Sequence, residues 1–221
     1  MDWTTFFEPI WLSVQISIAA SIIVFICSLA VAYKMSRTRF VGKSIVETIL
    51  LLPLVLPPTV VGFILLVLLG RRSWIGQTYE AIFNGPILFT WGAAAIAAVV
   101  VAFPLAYRSM KAGFDSIDID LEDSARAIGA NDWQVFRFIS IPLASRSLTS
   151  AYILSFCRGL GEFGATLMIA GNIPGRTQTI PTAIYVAADG GSMQMAWAWS
   201  GVMLLLSFVM LLLSNRMTRD S

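Results

Sequence analysis

Five stretches of this chain are long enough and apolar enough to cross a bilayer: roughly residues 10–33, 49–69, 87–107, 148–170 and 195–213. A helical span needs about 20 apolar residues, and a helix satisfies its own backbone polar groups in hydrocarbon. The expected fold class is therefore an all-α polytopic membrane protein with about five transmembrane helices. Charged residues make up 13% of the chain, against about 25% in ordinary soluble domains, which argues against a soluble enzyme. An apolar fraction of 57% excludes intrinsic disorder. There is no histidine, and Cys27 and Cys157 both lie in apolar runs, so His-based metal sites and CxxC chemistry are absent. Asp2 and Glu8 precede the first stretch and no small-residue cleavage pattern follows it, so it reads as a retained helix.

The basic residues are unevenly placed. Lys34, Arg37, Arg39 and Lys43 follow the first stretch, and Arg108, Lys111, Arg126, Arg137 and Arg146 lie between the third and fourth. With Arg216 and Arg219 in the tail, one set of segments holds eleven, against three (Arg71, Arg72 and Arg176) in the other. The positive-inside rule then predicts an external N-terminus, a cytoplasmic C-terminus and a multi-pass protein of the cytoplasmic membrane. A net charge of +2 gives no reason to expect a nucleic-acid partner.

The second stretch contains Pro53, Pro57, Pro58 and Gly62. Prolines remove amide donors, and broken backbone in lipid survives only against protein or a wet cavity. Pro57 and Pro58 are therefore candidates for a pathway or gate, with a merely kinked helix as the alternative.

The cytoplasmic segment at residues 115–145 is too regular for a passive loop. Ile117, Leu121, Ala125 and Ile128 recur at helical spacing, Asp118 or Asp120 can cap that helix, and Gly129 breaks it. Asn131 and Gln134 have capping-box spacing. A second short helix is expected to start there, present Trp133 and Phe136, and end before Pro142. Such a helix packs either on this protein's own bundle or in a groove of another subunit.

This segment resembles the signature loop of ABC-importer permease subunits, which reads EAA, three residues, Gly, nine residues, Ile, one residue, Leu-Pro. Asp123, Ser124 and Ala125 match the triplet, Gly129 the glycine, Ile139 the isoleucine, and Ile141 with Pro142 the closing pair. The resemblance implies the type I importer (MetI-like) permease fold over residues 8–213. It also implies a coupling helix docked into a separate ATPase, with Asp123, Ala125, Gly129, Trp133, Phe136, Ile139 and Pro142 as its residues.

In the fourth stretch, Arg158 and Glu162 are four apart and so share one helical face. Either they pair, or Arg158 touches a passing anion. Gly159, Gly161 and Gly164 suit close helix packing. Beyond them, Arg176, Thr177 and Thr179 sit in a turn-rich outer loop suited to an oxyanion or to a partner protein. The runs RGLGEFGAT, AGNIPGRTQT and LLPLVLPPTVVGF are similar to those of molybdate permease subunits, the ModB family. That resemblance implies a homodimer with two ABC ATPase subunits and an external molybdate-binding protein, and import driven by ATP-Mg bound on the ATPase. No cofactor is expected on this chain, which lacks GxxxxGK[ST], and the chain is not expected to be catalytic itself. The same scaffold serving tungstate, sulfate or thiosulfate is the nearest alternative. A secondary transporter is the next, although no convincing internal repeat supports it.

Overall fold

The computed structural model describes residues 3–219, with side chains through residue 216, and every regular element among them is helical. Asp2, used in reading the first stretch, and the Arg219 side chain, used in the charge count, lie outside the described residues. Three helices are long and apolar enough to cross a membrane: α1 (Trp3–Arg37), α5 (Trp91–Asp115) and α11 (Met193–Arg219). They run in parallel. At their N-terminal ends the Trp199 indole of α11 donates to the Phe6 carbonyl of α1 at 3.0 Å. At the other end the Ser36 hydroxyl of α1 donates to Asp115 of α5 at 2.6 Å. Trp3, Trp11, Trp91, Trp197 and Trp199 gather at the first end, and Lys34, Arg37, Arg108 and Lys111 at the second. That polarity sets an aromatic end against a basic end along the helix axes.

Two further helices are broken. The first joins α2 (Lys43–Val55) to α3 (Pro58–Leu69) through a 112° bend. The apolar stretch at residues 49–69 is therefore a bent pair and not one straight helix. Pro53 sits inside α2 without ending it. The break comes at Leu56 and Pro57, both held in extended backbone with ψ of 142° and 136°, because each precedes a proline. Pro58 then occupies the first turn of α3, where a missing N–H costs nothing. A short outer helix, α4 (Trp74–Phe83), follows.

Two shorter helices follow α5 on the basic side: α6 (Ile119–Ala127) and α7 (Asp132–Val135). A π turn at Phe136–Ser140 leads from α7 into α8 (Ile141–Leu160), so the second short helix does not end before Pro142 as expected. The Ile141 amide bonds back to the Phe136 carbonyl, five residues earlier. This wider ring admits Pro142 within a helix that an α register would have broken. After α8 the chain breaks again at Gly161–Phe163, bends by 59° and resumes as α9 (Gly164–Ala170). The helix α10 (Ile180–Asp189) then packs on α11.

The core is made of small residues. Ala93, Ala94, Ala97 and Ala98 of α5 and Ser13, Ser17, Ser21 and Ser28 of α1 are all buried, which lets helix axes approach closely without a bulky interlayer. The helices α3 and α9 also come close. A Cβ on Gly62 would lie 2.8 Å from the Ala165 Cα and the Met168 Cβ, and one on Gly164 would lie 3.1 Å from the Pro58 Cβ. Gly159 and Gly161 are in ordinary contact by comparison.

Gly62→Val should therefore destabilise the protein by about 1–3 kcal/mol, the usual cost of overpacking. Gly201→Val, at a site with no atom within 4 Å of its Cβ position, should cost far less. Thermal unfolding of the two purified variants in detergent measures the difference, and equal midpoints would contradict the packing.

Candidate functional site

On the basic side, α6 starts at Asp118, whose carboxylate accepts from the Asp120 amide at 3.0 Å. It ends in a Schellman motif: Gly129 adopts φ 100°, with the Ala130 amide on the Ala125 carbonyl and the Gly129 amide on Arg126. The next helix starts with the expected capping box, in which the Asn131 side chain takes the Gln134 amide and the Gln134 side chain takes the Asn131 amide. Both caps follow from local side-chain chemistry.

What these helices present differs from the apolar stripe expected of Ile117, Leu121, Ala125 and Ile128. Ile117 is buried, Ala125 is half-buried, Leu121 is half exposed and Ile128 is 89% exposed. Trp133 is 63% exposed and Phe138 67%. A groove of about 360 Å³ opens beside them, lined by Ile128, Gly129, Val135, Phe138 and Ile139. Phe136 is half-buried instead, its ring 4.6 Å from that of Tyr33 on α1 and 5.6 Å from Trp133. Asp123 points out and pairs with Arg126 at 2.8 Å, while Pro142 opens α8. The structure thus brings Gly129 and Ile139 together in one groove, leaves Trp133 exposed on α7 and turns Phe136 inward.

The residue that sequence reasoning passed over is Glu122. It is fully buried, and it is the only buried side chain of α6. Arg37 grips it with two bonds of 2.8 and 2.7 Å, Ser140 donates at 2.8 Å, and Arg126 stands 3.5 Å away. Burial opposes ionisation, but the hydrogen bonds from Arg37 and Ser140 outweigh it and hold the carboxyl below its ordinary value. The available signal was an acid one helical turn before Arg126 and out of phase with the exposed polar face.

The second place of interest is where the two helix breaks meet. Pro58 and Thr59 at the start of α3 lie against Gly164 at the start of α9. Glu162 sits inside the break, not on a continuous helix with Arg158 as expected. Its carboxylate takes Arg158 at 2.8 Å and the Ala165 amide at 2.8 Å, bridging the two halves. Glu162 is almost wholly buried and Arg158 is 30% exposed. Phe163 beside them packs on Tyr185 of α10, ring centroids 5.4 Å apart. Pro57 lies on the exposed rim of this junction.

In the outer loop the three expected residues separate. Thr177 is buried and its hydroxyl accepts from the Ile173 amide at 3.0 Å. Thr179 is buried and bonds to Thr182. Both close the turn into α10. Arg176 alone is exposed, on an open cleft of about 590 Å³ that Tyr79, Trp91 and Gly175 also line.

Residues 22–220 match the family described as "Binding-protein-dependent transport system inner membrane component". A candidate molybdenum transport system permease protein of Bacillus subtilis (strain 168), YvgM, is 56% identical over 206 residues, covering 93% of this chain and 91% of its own. The molybdenum transport system permease protein ModB of Escherichia coli (strain K12) is 40% identical over 190 residues, 83% of each chain. Among solved structures, the inward-facing MetNI methionine ABC transporter superposes with a TM-score of 0.72 over 96% of this chain and 93% of that one, at 16% identity. That likeness places the fold among ABC-importer permeases.

The depressed acidity of Glu122 has a signed consequence. Its stabilising contribution is complete above the unfolded carboxyl value and is lost as pH falls through the lower folded one. Thermal stability should therefore drop as pH falls below the ordinary carboxyl value of 4.5, and Glu122→Gln, less stable at neutral pH, should lose less over that fall. Parallel acid limbs in the two proteins would contradict this.

Proposed function

The chain belongs to the family of binding-protein-dependent transport system inner membrane components, and from that premise we propose that it is the membrane-spanning subunit of an ATP-driven molybdate importer. It crosses the membrane five times, with each broken pair as one span, its N-terminus outside and its C-terminus in the cytoplasm. The Lys/Arg asymmetry and the parallel run of α1, α5 and α11 support that orientation. Two copies assemble with two ATPase subunits, and an external molybdate-binding protein delivers the anion.

The observation that carries the ATP-driven part is the exposed apolar face of Ile128, Trp133 and Phe138 on the basic side. Ile128 and Phe138 line a groove and Trp133 is exposed on the same short segment, and such side chains on helices with well-formed caps suit a preformed docking surface and not a lipid face. Asp123, Ala125, Gly129, Ile139 and Pro142 build or flank that face, and Phe136 fixes it to α1. ATP, held with Mg on the partner, is hydrolysed there and not on this chain. Closure of the ATPases then moves the docked segment against the spans.

The anion itself is moved and not transformed. Pro57 and Pro58, together with Arg158 and Glu162, form the junction at which a passage is built. Arg158 is committed to Glu162, so its first role is to neutralise a buried carboxylate. Outside, Arg176 on its open cleft supports contact with the binding protein. Thr177 and Thr179 serve the loop itself.

Molybdate is favoured by the names of the relatives at 56% and 40% identity. A sulfate permease, CysW of Synechococcus elongatus, is 35% identical over 69% of this chain but 53% of its own, which keeps sulfate as the second reading. Tungstate shares the size and charge of molybdate.

Reconstitution with the ATPase and binding protein tests both parts. Labelled molybdate should enter proteoliposomes only with ATP, and excess tungstate should suppress it far more than equal sulfate. Trp133→Ala with Ile128→Ala should weaken ATPase co-purification by about tenfold or more, the loss expected when interface hot spots are truncated. Uptake without ATPase would favour a secondary transporter, and stronger suppression by sulfate would favour the second reading.

A further inference from the structure

We infer that Glu122 is a positioning residue that transmits the movement of the docked ATPase to α1 and α8, through Arg37 and Ser140; this rests on the reading of the chain as an ATP-driven permease. The segment that presents Ile128, Trp133 and Phe138 must pass force to the bundle at some physical contact. For α7 that contact is covalent, since it runs through the π turn into α8. For α6 it is almost entirely ionic. No apolar side chain of α6 is buried, and Glu122 alone goes fully inside.

The geometry of that one carboxylate suits transmission. Its two oxygens take the Arg37 Nε and Nη2 as a planar fork, at 2.8 and 2.7 Å. Such a pair fixes orientation as well as distance, whereas apolar contacts can slide. Arg37 is the last residue of α1, a helix of 35 residues that packs along α5 and α8. Oε1 also takes the Ser140 hydroxyl at 2.8 Å, at the end of the π turn. A longer contact of 3.3 Å lies between that hydroxyl and the Val135 carbonyl. One buried group therefore ties α6 to the end of one long helix and to the beginning of another. Phe136, its ring tilted at 55° against that of Tyr33, adds an apolar contact to the same corner. A π turn is a local excess of one residue, and Ser140 pins it at its end. Loss of the carboxylate releases α6 from α1 and frees the π turn, while the exposed docking face, set by its own caps, stays intact.

The mechanical role separates from simple folding support in one measurement. The complete complex, with Glu122→Gln, Arg37→Lys or Ser140→Ala in this chain, is purified through the ATPase subunit, and ATP hydrolysis and molybdate uptake are measured per assembled complex. Transmission predicts that the variants still bring the permease down with the ATPase. Hydrolysis per complex should stay within about twofold, while molybdate carried per ATP falls about fivefold or more for Glu122→Gln and Arg37→Lys, and less for Ser140→Ala, which removes one bond of the set. A ratio of uptake to hydrolysis equal to wild type in all three would overturn the inference and show a fold-supporting contact only. Should Glu122→Gln not accumulate, Arg37→Lys and Ser140→Ala, which leave the carboxylate paired from one side, decide between the same two results. If the unsubstituted chain itself neither binds the ATPase nor needs ATP, the importer reading fails and this inference falls with it. An unchanged ratio in a working complex removes the inference alone.

Discussion

A helix that breaks inside an apolar bundle leaves amides and carbonyls that lipid cannot satisfy, and much of this structure answers that constraint. The chain breaks two of its helices, at Leu56–Pro57 and at Gly161–Phe163. It then sets the breaks against each other. Gly164 and Gly62 have no side chains, so α9 and α3 approach to backbone contact. Glu162 fills the second break and takes an amide with one oxygen and a guanidinium with the other. A carboxylate in this place would be costly alone, and Arg158 offsets that cost. The alanine- and serine-faced α1 and α5 supply the close-packed wall on which both broken helices rest.

The same logic operates on the basic side with different chemistry. There the helices are short, polar and capped, and water is within reach. The buried charge serves attachment: Glu122 joins elements that apolar contact alone would hold loosely. The two buried glutamates of the chain thus have parallel structures, each held by an arginine and a second donor. One spans a helix break among the apolar helices, and the other ties the docking segment to them.

Much of this was legible in the sequence. The five apolar stretches correspond to three long helices and two bent pairs. The caps at Asp118, Gly129 and Asn131 follow from local rules that tertiary packing did not override. What escaped depends on distant partners. Proline at 53, 57 and 58 announces disturbance, but only consecutive extended residues at Leu56 and Pro57 make it a 112° turn. Pro142 was read as a stop because an α register forbids it, and a π turn removes the conflict. Arg158 and Glu162 were read on one helix because their spacing fits, while Gly161 ends that helix between them. Thr177 and Thr179 were read as available hydroxyls, but the loop uses both to close itself. Glu122 drew no reading at all, since its partner Arg37 is 85 residues away in sequence.

The central claim is that the two helix breaks meet inside the folded protein. The direct measurement is crosslinking of Thr59→Cys to Gly164→Cys in membranes, in a chain with Cys27 and Cys157 replaced. A Cβ at position 164 lies 3.3 Å from the Thr59 amide nitrogen and 3.4 Å from its methyl, well inside the reach of a disulfide or a short bifunctional reagent. The account predicts an efficient intramolecular crosslink at this pair and none when the second cysteine is moved to Gly201, on α11. No crosslink at 59 and 164 in fully accumulated, thiol-accessible protein would contradict it.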